Sequence, residues 1–149
     1  MEYLGISLDS ILLSVKQAIG IDQDDHAFDM DILMHINGAF SILYQIGVLE
    51  KTYTISSEYD KYSDILTDDN IINMVKLYLI YKTRLGFDSS TLQSSVLDSI
   101  KNAISELEWR LNIEAPKYFK ITTVDNSEIE DSANDSEEKK ELYKIMFTK

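Results

Sequence analysis

His26 and His35 stand in a stretch that also holds Asp22, Asp24, Asp25, Asp29 and Asp31, so imidazole nitrogens and carboxylate oxygens, the donors a divalent metal would use, crowd together in one part of the chain. The spacing builds no site from them. Neither histidine belongs to a His-Glu-x-x-His pair. A calcium loop begun at Asp22 has Ala27 at its sixth position, where the tight turn needs glycine, and Leu33 at its twelfth, where a bidentate glutamate belongs. Neither metal nor cofactor is expected. Glu106 and Glu108 are two apart on a helical pattern and point in different directions, so they form no acid/base dyad. Arg110 can reach Glu106 or Glu114 one turn away, a surface ion pair worth a few tenths of a kcal/mol by order of magnitude. The sequence has no cysteine, which removes thiolate metal sites, disulfides and a cysteine nucleophile together. It also has no glycine-rich phosphate loop and no Gly-x-Ser-x-Gly elbow. These residues predict a protein without catalytic residues, not an enzyme.

Composition sets the remaining bounds. A chain of 149 residues, 44% hydrophobic, has the material for one ordinary domain. Its 26 acidic residues against 14 basic ones give a formal charge of -12, which argues against a broad basic footprint on DNA phosphates. The first twenty residues open with an acid and space their apolar residues helically, unlike a signal peptide, and no stretch is apolar enough to span a membrane. A soluble protein made in a reducing cytoplasm is the expectation, with no membrane partner.

Five glycines and one proline leave the chain with little punctuation, and between them apolar residues recur at steps of three and four. That pattern predicts an all-α fold, a small bundle of about four helices. The first is expected after Ser7 as N-cap, with Leu8, Leu12, Val15 and Ile19 on one face and Gly20 as its stop. A second runs from about Asp29 to Ile46, burying Ile32, Ile36, Ala39, Leu43 and Ile46 and ending at Gly47. Residues 48–64 read as a long loop with a short extended hairpin arm. A third, about Asn70 to Phe87, is apolar nearly all round, so it is either a central core helix or one whose outer surface packs against a neighbouring subunit. The fourth begins near Ser89 or Ser90, carries Leu97, Ile100, Ile104, Leu107 and Leu111, and is expected to end at Pro116, with Trp109 anchoring a packing contact. Residues 117–124 look extended, 125–138 form an acidic linker, and 142–147 turn apolar again. Two units follow: a helical domain over 1–116 and a C-terminal extension over 117–149.

Three segments resemble the head-tail connector (adaptor, head completion) family of tailed bacteriophages. They are Asp31-Ile-Leu-Met-His-Ile-Asn-Gly-Ala-Phe40 continuing to Gly47-Val48, Met74-Val-Lys-Leu-Tyr-Leu-Ile-Tyr-Lys-Thr-Arg-Leu-Gly-Phe-Asp88, and Val96 through Glu106-Leu-Glu-Trp-Arg-Leu-Asn-Ile-Glu114. The resemblance covers roughly Leu8 to Glu114 and implies a ring subunit, commonly of a dodecamer, in the virion neck between portal and tail. The implied partners are the portal protein, tail or neck completion proteins and further copies of the chain. DNA would pass through without specific binding, and the protein would occupy the host cytoplasm during assembly. The C-terminal extension is longer than the resemblance accounts for.

Set against that frame, three groups of residues become candidates. An acidic lumen would not adhere to phosphate, so Asp22, Asp24, Asp25, Asp60, Asp64, Asp68 and Asp69 are candidate channel-facing residues, the alternative being solvated loop and cap residues. Tyr53, Tyr59, Tyr62, Tyr78, Tyr81 and Trp109 are candidate subunit-interface residues, the alternative being aromatic cover for the bundle itself. Tyr118, Phe119, Ile121, Leu142, Tyr143, Ile145, Met146 and Phe147 are candidate partner-binding residues of a terminal arm that docks on the portal or packs back on its own core. The competing function is a small acidic regulator that mimics DNA charge and sequesters a basic partner. A helical hydrolase is a third reading, without a distinguishable nucleophile or base.

Overall fold

A computed structural model describes residues 2–3, 6–7 and 9–127, with side chains from 9 to 115. It divides the chain into two compact units, 1–116 and 117–149. The first unit opens with a two-residue antiparallel hairpin, β1 (Glu2–Tyr3) paired with β2 (Ile6–Ser7). Four helices follow: α1 (Ile11–Ile19), α2 (Asp29–Gln45), α3 (Asp69–Asp88) and α4 (Ser94–Ser127). The fold is all-α, a small bundle.

The residues that start and stop these helices are local devices. Ser10 caps α1, its Oγ accepting from the Leu13 amide and donating to the Glu58 carbonyl. Ser7 is not the cap, because it pairs with Glu2 in the hairpin, and Leu8 lies before the helix. Gly20 ends α1 at φ 85°, where Ile21 N–H bonds the Lys16 carbonyl. Gly47 follows α2 at φ 84°, where Val48 N–H bonds the Leu43 carbonyl. Both are left-handed closures that suit glycine. Asp68 caps α3 through the Ile71 amide.

The core gathers Ile11, Leu12 and Val15 of α1, Ile32, Ile36, Ala39, Phe40 and Leu43 of α2, and Ile71, Val75, Tyr78 and Leu79 of α3. Ile100, Ile104, Leu107, Leu111 and Ala115 add one stripe of α4 at steps of three and four, while Leu97 is only half-buried. Burying a side chain of this size contributes about 1.5–3 kcal/mol, so these stripes rather than helix propensity hold the bundle together.

Residues 48–64 contain no hairpin. They run as a tethered loop ending in a turn of 3-10 helix, Tyr62–Asp64. Asn37 of α2 clamps Ile55 from both sides, its Oδ1 accepting from the Ile55 amide and its Nδ2 donating to the Ile55 carbonyl. Asp9 accepts from the Ser63 amide and hydroxyl, and Ile11 N–H donates to the Asp60 carbonyl. With these partners supplied by α1 and α2, the backbone of the loop needs no second strand.

Two further expectations are corrected at α4. It starts at Ser94, because Thr91 closes a turn back on the Asp88 carbonyl first. It also continues through Pro116 to Ser127, so 117–124 is helical and not extended. Proline within a helix loses one hydrogen bond and costs about 3 kcal/mol, a penalty that a long helix absorbs.

Candidate interaction surfaces

α3 turns one face inward and another outward. Ile71, Val75, Tyr78 and Leu79 are buried, whereas Met74, Leu77 and Tyr81 line a groove against α4, with Leu77 41% exposed. Across the groove stand Ala103, Trp109 and Ile113 of α4, and Trp109 is 65% exposed. Among the described residues Trp109 therefore lies mostly open on the groove rather than anchoring the core. The recess is about 770 Å3 and continues along the two helices past Tyr81 and Ala103 into a second one bordered by Arg84, Val96 and Ser99. Apolar surface left open in a groove of this size marks a contact surface.

The outward face of α2 carries a second apolar patch, Met30 and Met34, respectively 74% and 70% exposed. Nearby, Phe28 meets Phe87 edge-to-face at 5.3 Å between ring centres, fixing the start of α2 against the end of α3.

The six aromatic candidates separate cleanly. Tyr59 and Trp109 are exposed, and Tyr53 and Tyr81 are half-buried, with Lys51 lying over the Tyr53 ring. Tyr62 and Tyr78 are core residues, a correction to their expected interface role. Tyr62 shares a 2.9 Å hydrogen bond with Ser14 and sits beneath Lys76, and Tyr78 donates to Glu108 at 2.8 Å. Burial pushes the Tyr62 phenol up, with the Ser14 hydrogen bond opposing it. Burial, then the Glu108 hydrogen bond and charge, push Tyr78 up.

Of the seven aspartates, Asp22, Asp25, Asp60 and Asp68 accept hydrogen bonds from backbone amides of their own loops or caps. Asp22 and Asp25 are exposed all the same, as are Asp24, Asp64 and Asp69, whereas Asp60 and Asp68 are half-buried. The two histidines are apart in role: His26 Nδ1 lies 2.8 Å from Asp29 Oδ2, and the His35 ring packs on Gly86 of α3. Among the described residues no group of three or more His, Asp or Glu is placed to hold a metal. Arg110 pairs with Glu106 at 2.7 Å while Glu108 turns to Tyr78, so the two glutamates do diverge. Tyr118, Phe119 and Ile121 fall on the backbone of α4 with side chains outside the described residues, as are Leu142, Tyr143, Ile145, Met146 and Phe147 altogether.

The helices that form the groove are also the matched part of the sequence. The profile of a family described as phage connector protein covers residues 11–117, well over half of the chain. The chain belongs to that family. Comparison with curated proteins and with solved structures gives no match. The connector family is generally structural, so this connector is a virion-associated protein that contacts other phage head and tail assembly proteins. The matched span begins at the first residue of α1 and includes α2, α3 and the length of α4 that lines the groove. No described helix of the connector is long and apolar enough to cross a membrane.

Proposed function

We propose that this connector forms a ring under the portal of the capsid, lengthens the channel through which DNA passes, and offers a platform to tail or neck completion proteins. Membership of the connector family carries this reading. The groove between α3 and α4 and the methionines on α2 support it, because a ring subunit needs apolar surface beyond what its own core uses.

A formal charge of -12 suits a lumen that lets phosphate slide by. Asp24, Asp64 and Asp69, exposed and, among the described residues, accepting no hydrogen bond from the backbone of their own loops, are the better channel-facing candidates. Asp22, Asp25, Asp60 and Asp68 are engaged with their own backbone. The apolar residues of 142–147 form a portal-docking arm beyond the acidic linker.

The test is cryo-electron microscopy of the connector co-expressed with its portal protein. A rotationally symmetric ring stacked on the portal, commonly of twelve copies in such assemblies, is the expected result. A connector that stays a lone acidic monomer, and instead captures a basic nuclease or repressor, would support the charge-mimic reading. Deleting 128–149 should weaken portal attachment and leave the far-UV CD helical signal of the remaining chain intact. Loss of that signal would place the segment in the fold rather than in docking.

A further inference from the structure

We infer that successive connector subunits join head to tail by seating the outward face of α2 of one copy in the α3–α4 groove of the next, a pairing that rests on the ring reading above. Each half of the contact carries its own signature. On α2 the outward stripe is Met30, Met34, Gly38 and Ser41, all exposed, at steps of four, four and three. Met34 and Gly38 lie about 160° around the helix from Ile36, which is fully buried, so the stripe faces directly away from the core.

Gly38 is the telling member of the stripe. A Cβ built on it meets nothing within 4 Å, so nothing inside the subunit requires a glycine there. A glycine in the middle of a helix is nonetheless disfavoured relative to alanine. Close approach by another chain supplies the missing reason, since glycine beside Ser41 lets a second backbone come near.

The groove fits such a visitor. From Asn70 to Arg84 its α3 wall rises about 21 Å, the length of a helix of roughly fourteen residues, and Met30 to Gln45 is of that order. Its lining is apolar at Met74, Leu77, Tyr81 and Trp109. The charges complement as well. Residues 22–31 hold Asp22, Asp24, Asp25, Asp29 and Asp31 and no lysine or arginine, whereas the basic residue on the α3 wall of the groove is Arg84. Arg84, at the end of the groove, has a buried Nε with no hydrogen-bond partner among the described residues. The acidic start of α2 and the Arg84 guanidinium at the end of the groove thus attract one another. Both helices give their inner faces to one core, so their outer faces point away from each other, which is the arrangement a contact closing by rotation requires.

Two full-length variants test the pairing, Met34→Glu on α2 and Leu77→Glu in the groove. Both positions are exposed, so far-UV CD and melting should match the unaltered chain; if either glutamate lowers helicity, glutamine replaces it. With portal protein present, each variant alone should lose about tenfold or more of the ring particles, as expected for charge placed at the centre of an apolar contact. Mixed one to one, the variants restore a single intact contact, so native mass spectrometry should find a heterodimer of one copy of each and nothing larger. Rings from either variant alone, or homodimers, overturn the pairing. Leu77→Glu rings that no longer hold the portal assign the groove to the portal and overturn it too. If the unaltered chain forms no ring on the portal, the ring reading fails and takes the pairing with it.

Discussion

Lys16 has no solvent exposure, and its ammonium is nonetheless fully engaged. Its Nζ donates to the carbonyls of Gln23 and Asp25 and lies 2.8 Å from an Asp29 carboxylate oxygen, so one side chain of α1 holds the 22–25 link and the start of α2 together. Burial on its own would raise the Asp29 carboxyl, but hydrogen bonds from Lys16 and His26, and their charges, outweigh it and hold the group below its ordinary value. Because the folded value is the lower one, the stability this carboxylate contributes is complete above the ordinary aspartate pKa of about 3.9 and is lost as pH falls through the depressed folded value. Asp29→Asn leaves a buried ammonium with its carbonyl partners alone and should cost about 2 kcal/mol at neutral pH. Urea unfolding should show the difference at pH 7 and show it shrinking in strong acid, where the native carboxylate is itself protonated. Sequence reading placed Asp29 at the start of α2 but did not find Lys16, because the i to i+13 pairing exists only once the link folds back.

At the scale of elements, two helical glycines, Gly86 in the last turn of α3 and Gly38 in the middle of α2, make opposite predictions. A Cβ on Gly86 would stand 2.3 Å from the His35 ring, so any side chain here must displace the imidazole. Helix propensity favours alanine by about 1 kcal/mol, yet displacing a packed imidazole costs about 1–3 kcal/mol, so Gly86→Ala should be destabilising by roughly 1 kcal/mol net. Adding His35→Ala should recover part of that loss, a coupling a double-mutant cycle would measure. Gly38→Ala meets open space and should stabilise the isolated subunit by up to about 1 kcal/mol. The same change should weaken ring assembly, which thermal melting and particle counts would separate. Helix existence and several ends were legible in the sequence because they depend on neighbours along the chain: Gly20 and Gly47 close their helices wherever the rest of the protein lies. Ser10 rather than Ser7 became the α1 cap through competition with a hairpin, and the helix past Pro116 needed a balance of small local terms that pattern does not resolve.

For the whole molecule, acidity decides what the connector does to DNA. The excess of carboxylates should keep it from retarding duplex DNA in an electrophoretic shift at physiological salt, and retention there would contradict the proposed non-adhesive channel. The sequence by itself determined the all-α class, the apolar stripes of α2 and α4 and the acidity. These follow from composition and from a period of 3.6 residues, which one chain contains in full. The tertiary structure alone decided which aromatics remain available. Tyr62 and Tyr78 went into the core while Trp109 and Tyr81 stayed at the groove, because burial depends on which helix covers which face. Periodicity could show that α3 carried more apolar surface than one contact uses. Only the packing of α1 and α2 against one side of α3 determined that the surplus faces α4 and lies open there.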